Sequence, residues 1–425
     1  MFAQCRKMIK LKNNKVILMS MSENVLTTES LQRDPVAEGY VDRKRHLWVL
    51  SVLWPATPLI GLYLVSQTGW SIWYGLVLIL WYGAVPLIDA MFGEDFSNPP
   101  ESAVPRLEQD RYYRVLTYLT VPIHYAALIV SAWWVSTQPM SVFEFLALAL
   151  SLGIVNGLAL NTGHELGHKK ETFDRWMAKL VLAVVGYGHF FIEHNKGHHR
   201  DVATPMDPAT SRMGESIYSF SLREIPGAFK RAWDLEEQRL SRCGKSVWSL
   251  ENEVLQPMIL TALLYAGLLA FFGPLMLIFL PIQMAFGWWQ LTSANYIEHY
   301  GLLREKMSDG RYERQQPHHS WNSNHIMSNL ILFHLQRHSD HHAHPTRSYQ
   351  SLRDFKDLPS LPSGYPGMFL AAMFPSWFRS IMDHRVLDWA KGDLDKIQIQ
   401  PGKREFYERK FGGTDSESVD TAAAK

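Results

Sequence analysis

Nine of the eighteen histidines in this chain of 425 residues fall in three tight clusters and one outlier. They are His164 and His168 in the run His164-Glu165-Leu166-Gly167-His168, His194 with His198 and His199, the single His299, and His338 with His341 and His342. Neutral imidazole offers one lone pair to a transition metal. A spacing of four residues sets two side chains on one face of a helix, and it occurs at His164/His168, His194/His198 and His338/His342. The spacing therefore predicts three metal-binding faces. One ion that keeps an open position takes about three to five such ligands, so the set predicts two metals in an all-nitrogen redox centre. Glu165, Glu193, Glu298 and Asp340 each adjoin one of these histidines. A metal-bound imidazole commonly donates its other N–H to a carboxylate, so orientation is their expected task, with direct ligation the rival.

Other chemistry fits parts of the pattern. The first cluster also matches the H-E-x-x-H zinc protease signature, two ligands and a general base, but a protease needs one further ligand and leaves the remaining histidines without a purpose. A metal transporter would carry its ionisable ligands near the bilayer midplane, where only His124 stands. His318, His319 and His325 are expected beside the centre rather than in it; His334, His344, His189 and His124 are expected as hydrogen-bonded structural residues, and His46 and His384 as interfacial ones.

The elements that must carry these clusters are apolar helices. Runs of about 20 apolar residues suffice to cross a hydrocarbon core of roughly 30 Å. Six occur, near residues 46–65, 70–92, 113–135, 140–161, 257–272 and 274–296, which predicts an all-α membrane protein with a histidine-rich cap. The intervals after the first, third and fifth runs contain no Lys or Arg, whereas the tails and other loops carry many. By the positive-inside rule both termini then face the cytoplasm, and every histidine cluster emerges on that side. The apolar stretch 176–192 is short and holds Gly186 and Gly188, and 365–382 is broken by Pro366 and Pro375; both read as interfacial or re-entrant.

Residues 40–411 are expected to form one domain, preceded by an extension over 1–39 and followed by a small polar tail over 412–425. No internal repeat and no cleavable signal peptide is visible. Only Cys5 and Cys243 are present, far apart in sequence, so the chain has neither a disulfide framework nor the thiolates of an iron–sulfur or rubredoxin-type centre. The net charge of +1 is uninformative, but Arg200, Lys230, Arg304 and neighbouring Lys and Arg make the cytoplasmic loops locally basic, suited to phospholipid contact or to an acidic protein. No nucleic-acid partner is expected.

The blocks Asn161-Thr162-Gly163-His164-Glu165-Leu166-Gly167-His168-Lys169, Glu193-His194-Asn195-Lys196-Gly197-His198-His199, Asn295-Tyr296-Ile297-Glu298-His299-Tyr300-Gly301 and Leu335-Gln336-Arg337-His338-Ser339-Asp340-His341-His342-Ala343 closely resemble those of the integral-membrane alkane monooxygenases. The block around His299 discriminates; three histidine boxes alone also occur in membrane fatty acid desaturases, xylene monooxygenase-like enzymes and lipid hydroxylases. The resemblance runs from about Tyr40 to Phe411. It implies a six-helix membrane enzyme of the bacterial inner membrane. Two non-haem iron ions held by the nine histidines would insert one atom of O2 into the terminal C–H bond of a medium-chain n-alkane. It also implies electrons from NADH through rubredoxin reductase and rubredoxin, an acidic donor that Arg200, Lys230 and Arg304 would attract. Trp81 is placed beside the substrate channel by the same resemblance, the rival being a packing or lipid-facing role. The nearest alternative is a desaturase or fatty acyl hydroxylase with the same metal chemistry.

Overall fold

A computed structural model describes residues 39–411; the expected tail, and the expected extension save Gly39, lie outside the described residues. In chain order the long helices are α1 (Val49–Thr68), α2 (Ser71–Phe92), α3 (Arg111–Thr137), α4 (Val142–Gly167), α5 (Thr172–Ala183), α6 (Ile217–Arg242), α7 (Leu255–Phe272) and α8 (Met276–Glu298). Among the shorter ones that follow are α9 (His338–Ala343), α10 (Tyr365–Ala372) and α11 (Pro375–Trp389). Among the described residues β pairing is limited to isolated bridges. The protein is an all-α membrane protein.

By length and composition α1, α2, α3, α4 and α7 can cross a membrane. Their ends follow local chemistry. Asp110 accepts from the Tyr112 amide at the start of α3 (2.9 Å), and Ser141 with Glu144 forms a reciprocal capping box at the start of α4. The tight turns after α1 and α7 use Gly69 and Gly273 at φ 70° and 81°, a conformation that costs other residues strain. The sixth expected span, α8, is helical for 23 residues, enough to cross, but falls outside the apolar set. Its second half carries Gln290, Thr292, Ser293, Asn295 and Glu298, all buried against protein rather than offered to lipid. The fourth expected span is longer than its apolar run, because α4 continues unbroken through His164 to Gly167.

Helices α4 and α8 form the axis of the molecule. A Cβ built on Gly157 would lie 2.6 Å from Gln290 Cγ and 3.0 Å from the Gly287 carbonyl oxygen, and one on Gly153 would lie 2.9 Å from the Gln283 carbonyl. The glycines let the two backbones touch, the small-residue packing that membrane helices favour where no hydrophobic force acts between them. Asn156 donates to Gln283 across the same seam (3.0 Å). The contact sets the last turn of α4, with its histidines, beside the last turn of α8.

Two expectations about the shorter apolar stretches separate. Residues 176–192 do not form one helix: α5 ends at Ala183, and the chain turns through Gly186 (φ 64°) before a helical turn at Phe190–Ile192. The first half of 365–382 is not interfacial. In α10 Tyr365, Met368, Phe369 and Ala372 are buried in the same cluster as Trp81 and Tyr296, and Pro366 does not break the helix because it sits at its start, where its missing N–H costs nothing.

Candidate metal centre

The nine histidines converge in two groups. His164, His168, His194, His199 and His341 bring five ring nitrogens within 4.8 Å of one another, and His198, His299, His338 and His342 bring four together within the same limit. In the first group the Nε2 of His164 and His341 stand 2.8 Å apart, those of His199 and His194 3.0 Å, and those of His199 and His341 3.1 Å. In the second, the Nε2 of His338 and His342 are 2.9 Å apart. Lone pairs packed this closely repel unless a proton or a cation lies between them.

The geometry corrects the picture of three binding faces. His164 and His168 do act together from the end of α4, and His338 and His342 act together on α9. His194 and His198 do not. Glu193–His198 is a π-helical turn, wider than an α-turn, so His199 rather than His198 joins His194. The third box is divided as well, since His341 enters the first group and its neighbour His342 the second.

Buried orphan atoms mark where an ion fits. The Nε2 atoms of His168, His198 and His299 are buried with no hydrogen-bond partner. The opposite nitrogens of two of them are engaged: His198 Nδ1 donates to Asp207 Oδ2 (3.0 Å) and His299 Nδ1 to the His319 carbonyl oxygen (3.0 Å). That fixes the tautomer with the Nε2 lone pair free, the state a metal requires. Burial, reinforced by neighbouring imidazoles, holds His194, His199, His341 and His342 far below the ordinary imidazole range, hence neutral. Burial acts on His198 in the same direction, but the Asp207 carboxylate outweighs it and raises this group.

Of the carboxylates singled out in the sequence, only Glu298 faces a cluster imidazole. Its Oε2 lies 3.4 Å from His338 Nε2, and its Oε1 is buried without a partner. Glu165 instead pairs with Lys169 (2.9 Å). Glu193 pairs with Arg231. Asp340 accepts from His344 Nδ1 (2.8 Å), Arg347 (3.0 Å) and the Arg353 amide (2.9 Å), so it ties down the loop after α9. The orienting carboxylate that spacing missed is Asp207, nine residues beyond His198. It also accepts from Arg231 (2.7 Å) and Thr210 (2.7 Å), and burial notwithstanding, these partners hold it well below the usual carboxylate range. Glu224 on α6 was missed too: it accepts from Thr292 (2.8 Å) and Asn295 (3.1 Å) of α8, and burial pushes it up to about 7. Strained turns bracket the network, with Ala203, Phe333 and His334 at φ 56°, 49° and 51°.

A narrow, mostly apolar cavity opens against both histidine groups. His164, His194, His338 and Glu298 are among its polar lining; Leu158, Phe190, Leu291, Ala294, Leu335 and Phe369 are among its apolar walls, and among the described residues no Lys or Arg lines it. Trp81 is not part of this wall. It is fully buried in a π-helical turn of α2 and packs 6.3 Å from the ring of Phe369 and 5.6 Å from that of Trp54, one layer behind the cavity.

The three expected docking cations differ. Arg200 and Lys230 are exposed, each paired with a neighbouring acid, Asp201 (2.7 Å) and Asp234 (2.6 Å). Arg304 is 5% exposed and donates to the Arg200 carbonyl (2.9 Å). This is a correction: a guanidinium buried to hold a loop offers no surface to a partner.

The fatty acid desaturase family model matches residues 141–372, a stretch that begins at the cap of α4, ends with α10 and holds all nine histidines. Over 405 residues the chain is 87% identical to alkane 1-monooxygenase 1 of Alcanivorax borkumensis, covering 95% of this chain and 100% of that protein. It is 80% identical over 376 residues to an alkane 1-monooxygenase of Ectopseudomonas oleovorans, covering 88% of this chain and 94% of the relative. A third alkane 1-monooxygenase, from Pseudomonas putida, is 76% identical over 391 residues, covering 91% and 97%.

Proposed function

Because the chain belongs to the alkane 1-monooxygenase family, within the wider group described by the fatty acid desaturase model, we propose that it hydroxylates the terminal carbon of medium-chain n-alkanes with O2, using two non-haem irons and electrons from a rubredoxin. The observation that carries this reading is the pair of imidazole groups, five and four strong, with His164, His194 and His338 facing an apolar cavity. His164, His168, His194, His199 and His341 hold one iron, and His198, His299, His338 and His342 the other. When bound, the irons supply the redox chemistry that activates O2 and cleaves an unactivated C–H bond.

The work of the chain itself is positional. An alkane has no polar handle, so binding comes from burying methylenes at about 0.8 kcal/mol each. Leu158, Leu291, Leu335 and Phe369 provide that surface, and the cavity presents one chain end to the histidines. Asp207 orients His198, and the His319 carbonyl orients His299. A desaturase or fatty acyl hydroxylase would need a cation for an acyl carboxylate or a site for a carrier head group; the absence of Lys and Arg from the described lining favours a hydrocarbon. The chain lies in the bacterial inner membrane with α8 as sixth span and the centre on the cytoplasmic side. Arg200 and Lys230 form part of the surface that meets rubredoxin, and NADH reaches it through rubredoxin reductase.

The experiment is metal analysis of the purified protein followed by product analysis with octane, NADH, rubredoxin and its reductase. Iron and 1-octanol are expected. Stoichiometric zinc in active enzyme, or turnover with NADH alone, overturns the reading.

A further inference from the structure

Helix α6 has three faces instead of two. At about 100° per residue, Phe220, Glu224, Ala228 and Ala232 fall in one stripe, and all are buried. About 120° around the helix, Tyr218, Leu222, Ile225, Phe229 and Trp233 make a second apolar stripe that protein covers only in part: Tyr218 is 50% exposed, Leu222 81% and Phe229 38%, while Ile225 and Trp233 are half-buried against the core. The remaining face carries Arg223, Lys230, Asp234 and Glu237. The helix is long enough at 26 residues to span a bilayer but is outside the apolar set. Its polar face forbids crossing, while Leu222 and much of Tyr218 and Phe229 stay outside the packing of the fold.

We infer that α6 lies in the plane of the membrane surface, with the stripe Tyr218, Leu222, Ile225, Phe229 and Trp233 sunk to the boundary between head groups and acyl chains. The occupant of the stripe is lipid, because the exposed apolar surface is continuous with the apolar half of α8 at one end and with the start of the span-length α7 at the other. Near its start, the Tyr218 ring packs 5.5 Å from that of Trp289 on α8, and its hydroxyl donates to the Met373 carbonyl (2.8 Å). Phe374 and Trp377, both exposed, extend the surface there. Trp289 stands nine residues before Glu298 on α8, about 13 Å toward the apolar half of that helix, so this end of α6 sits at membrane depth. At the other end Trp233 packs 5.1 Å from Trp248, which with Leu250 is exposed and leads directly into the membrane-spanning α7. One apolar face, one cationic and polar face and aromatic residues along the boundary is the pattern of an interfacial helix.

The placement has a consequence for the metal centre. Alongside its buried stripe α6 carries Arg231, which bridges Glu193 and Asp207, the carboxylate that orients His198, and Glu224 accepts from Thr292 and Asn295 of α8. A helix held at the bilayer surface thus holds the support of His198 at a fixed depth.

The test uses the full chain in nanodiscs of phosphatidylethanolamine and phosphatidylglycerol, with Cys5→Ser and Cys243→Ser as background. Nitroxide labels are attached singly after Leu222→Cys, Phe229→Cys, Lys230→Cys and Glu237→Cys, and collisions with O2 and with a water-soluble nickel chelate are measured. Labels at 222 and 229 should meet O2 several-fold more than nickel, and labels at 230 and 237 the reverse. Equal access of nickel to all four positions would overturn the inference by putting the stripe in water. Exclusion of both reagents from 222 and 229 would overturn it by showing a protein partner or a second copy on the stripe. None of these outcomes depends on turnover, so the proposed reaction stands or falls separately.

Discussion

Asp207→Asn should strip the four-histidine group of its metal while leaving the five-histidine group loaded. The substitution keeps the shape of the side chain and one acceptor oxygen but removes the negative charge that faces His198 Nδ1 at 3.0 Å. Arg231 keeps Glu193 as its second carboxylate and Thr210 can reorient, so the fold loses little. What weakens is the basicity and orientation of one imidazole in four. Loss of such a supporting contact costs about 10–100-fold in metal affinity, or about 1.4–2.8 kcal/mol. Iron retained by detergent-purified protein is measured against rising chelator concentration. The wild type should release iron in one broad transition, and Asp207→Asn should release about half of it at 10–100-fold lower chelator. Thr210→Val, which removes one donor to Asp207 and the acceptor of the Ala203 amide but leaves the carboxylate beside His198 in place, should shift the first step by less. Unchanged retention in Asp207→Asn would refute the assignment of this carboxylate to His198, and loss of both irons together would refute the division into two groups.

Other consequences are as direct. Gly157→Val must part α4 from α8, because its first added carbon already meets Gln290 at 2.6 Å; overpacking of this kind costs about 1–3 kcal/mol, and thermal unfolding in detergent together with iron content should both fall, whereas unchanged values would show that the helices can slide. Trp81→Ser opens space behind Phe369, 6.3 Å away ring to ring, so longer alkanes should gain relative to octane in competition assays; an unchanged chain-length profile in folded protein would leave Trp81 a packing residue only. Burial pushes Glu253 up, but Lys179 and Arg175 outweigh it and hold it at about 2 against an ordinary 4.5. This depressed carboxylate therefore contributes stability that is complete above pH 4.5 and is lost as the pH falls toward 2, and Glu253→Gln should flatten the acid limb of the unfolding profile. Reversing charge at Arg200 or Lys230 should raise the half-saturating rubredoxin concentration at low salt and not at high salt, since exposed charges act over about a Debye length; Arg304→Glu should instead disturb folding, because that side chain is buried.

Local pattern made much of this molecule legible. Apolar runs of span length and imidazoles at spacing four are written in neighbouring residues, so the helices and the whole histidine set could be named before any contact was known. What escaped depends on residues far apart or on departures from ideal helix geometry. The π-turn at Glu193–His198 reassigns His199 and His198 to different groups, which a count of 3.6 residues per turn cannot foresee. Asp207 reaches His198 by a strained turn through Ala203, and no spacing rule covers it. Arg304 looked like a surface cation, and Tyr365–Ala372 like an interfacial helix, because burial is decided by what packs on top. A signal for the polar half of α8 was available: Gln290, Thr292, Ser293 and Asn295 interrupt a run that lipid would not tolerate.

The central claim, two irons divided between five and four histidines, is tested most directly by Mössbauer spectroscopy and iron counting on 57Fe-enriched protein in three forms: wild type, His168→Ala and His299→Ala. The account predicts about two irons per chain in the wild type, with His168→Ala altering the spectrum of one iron and His299→Ala that of the other, and octane hydroxylation abolished in both. A single iron per chain, stoichiometric zinc, the same iron altered by both substitutions, or full activity without His299 would contradict it.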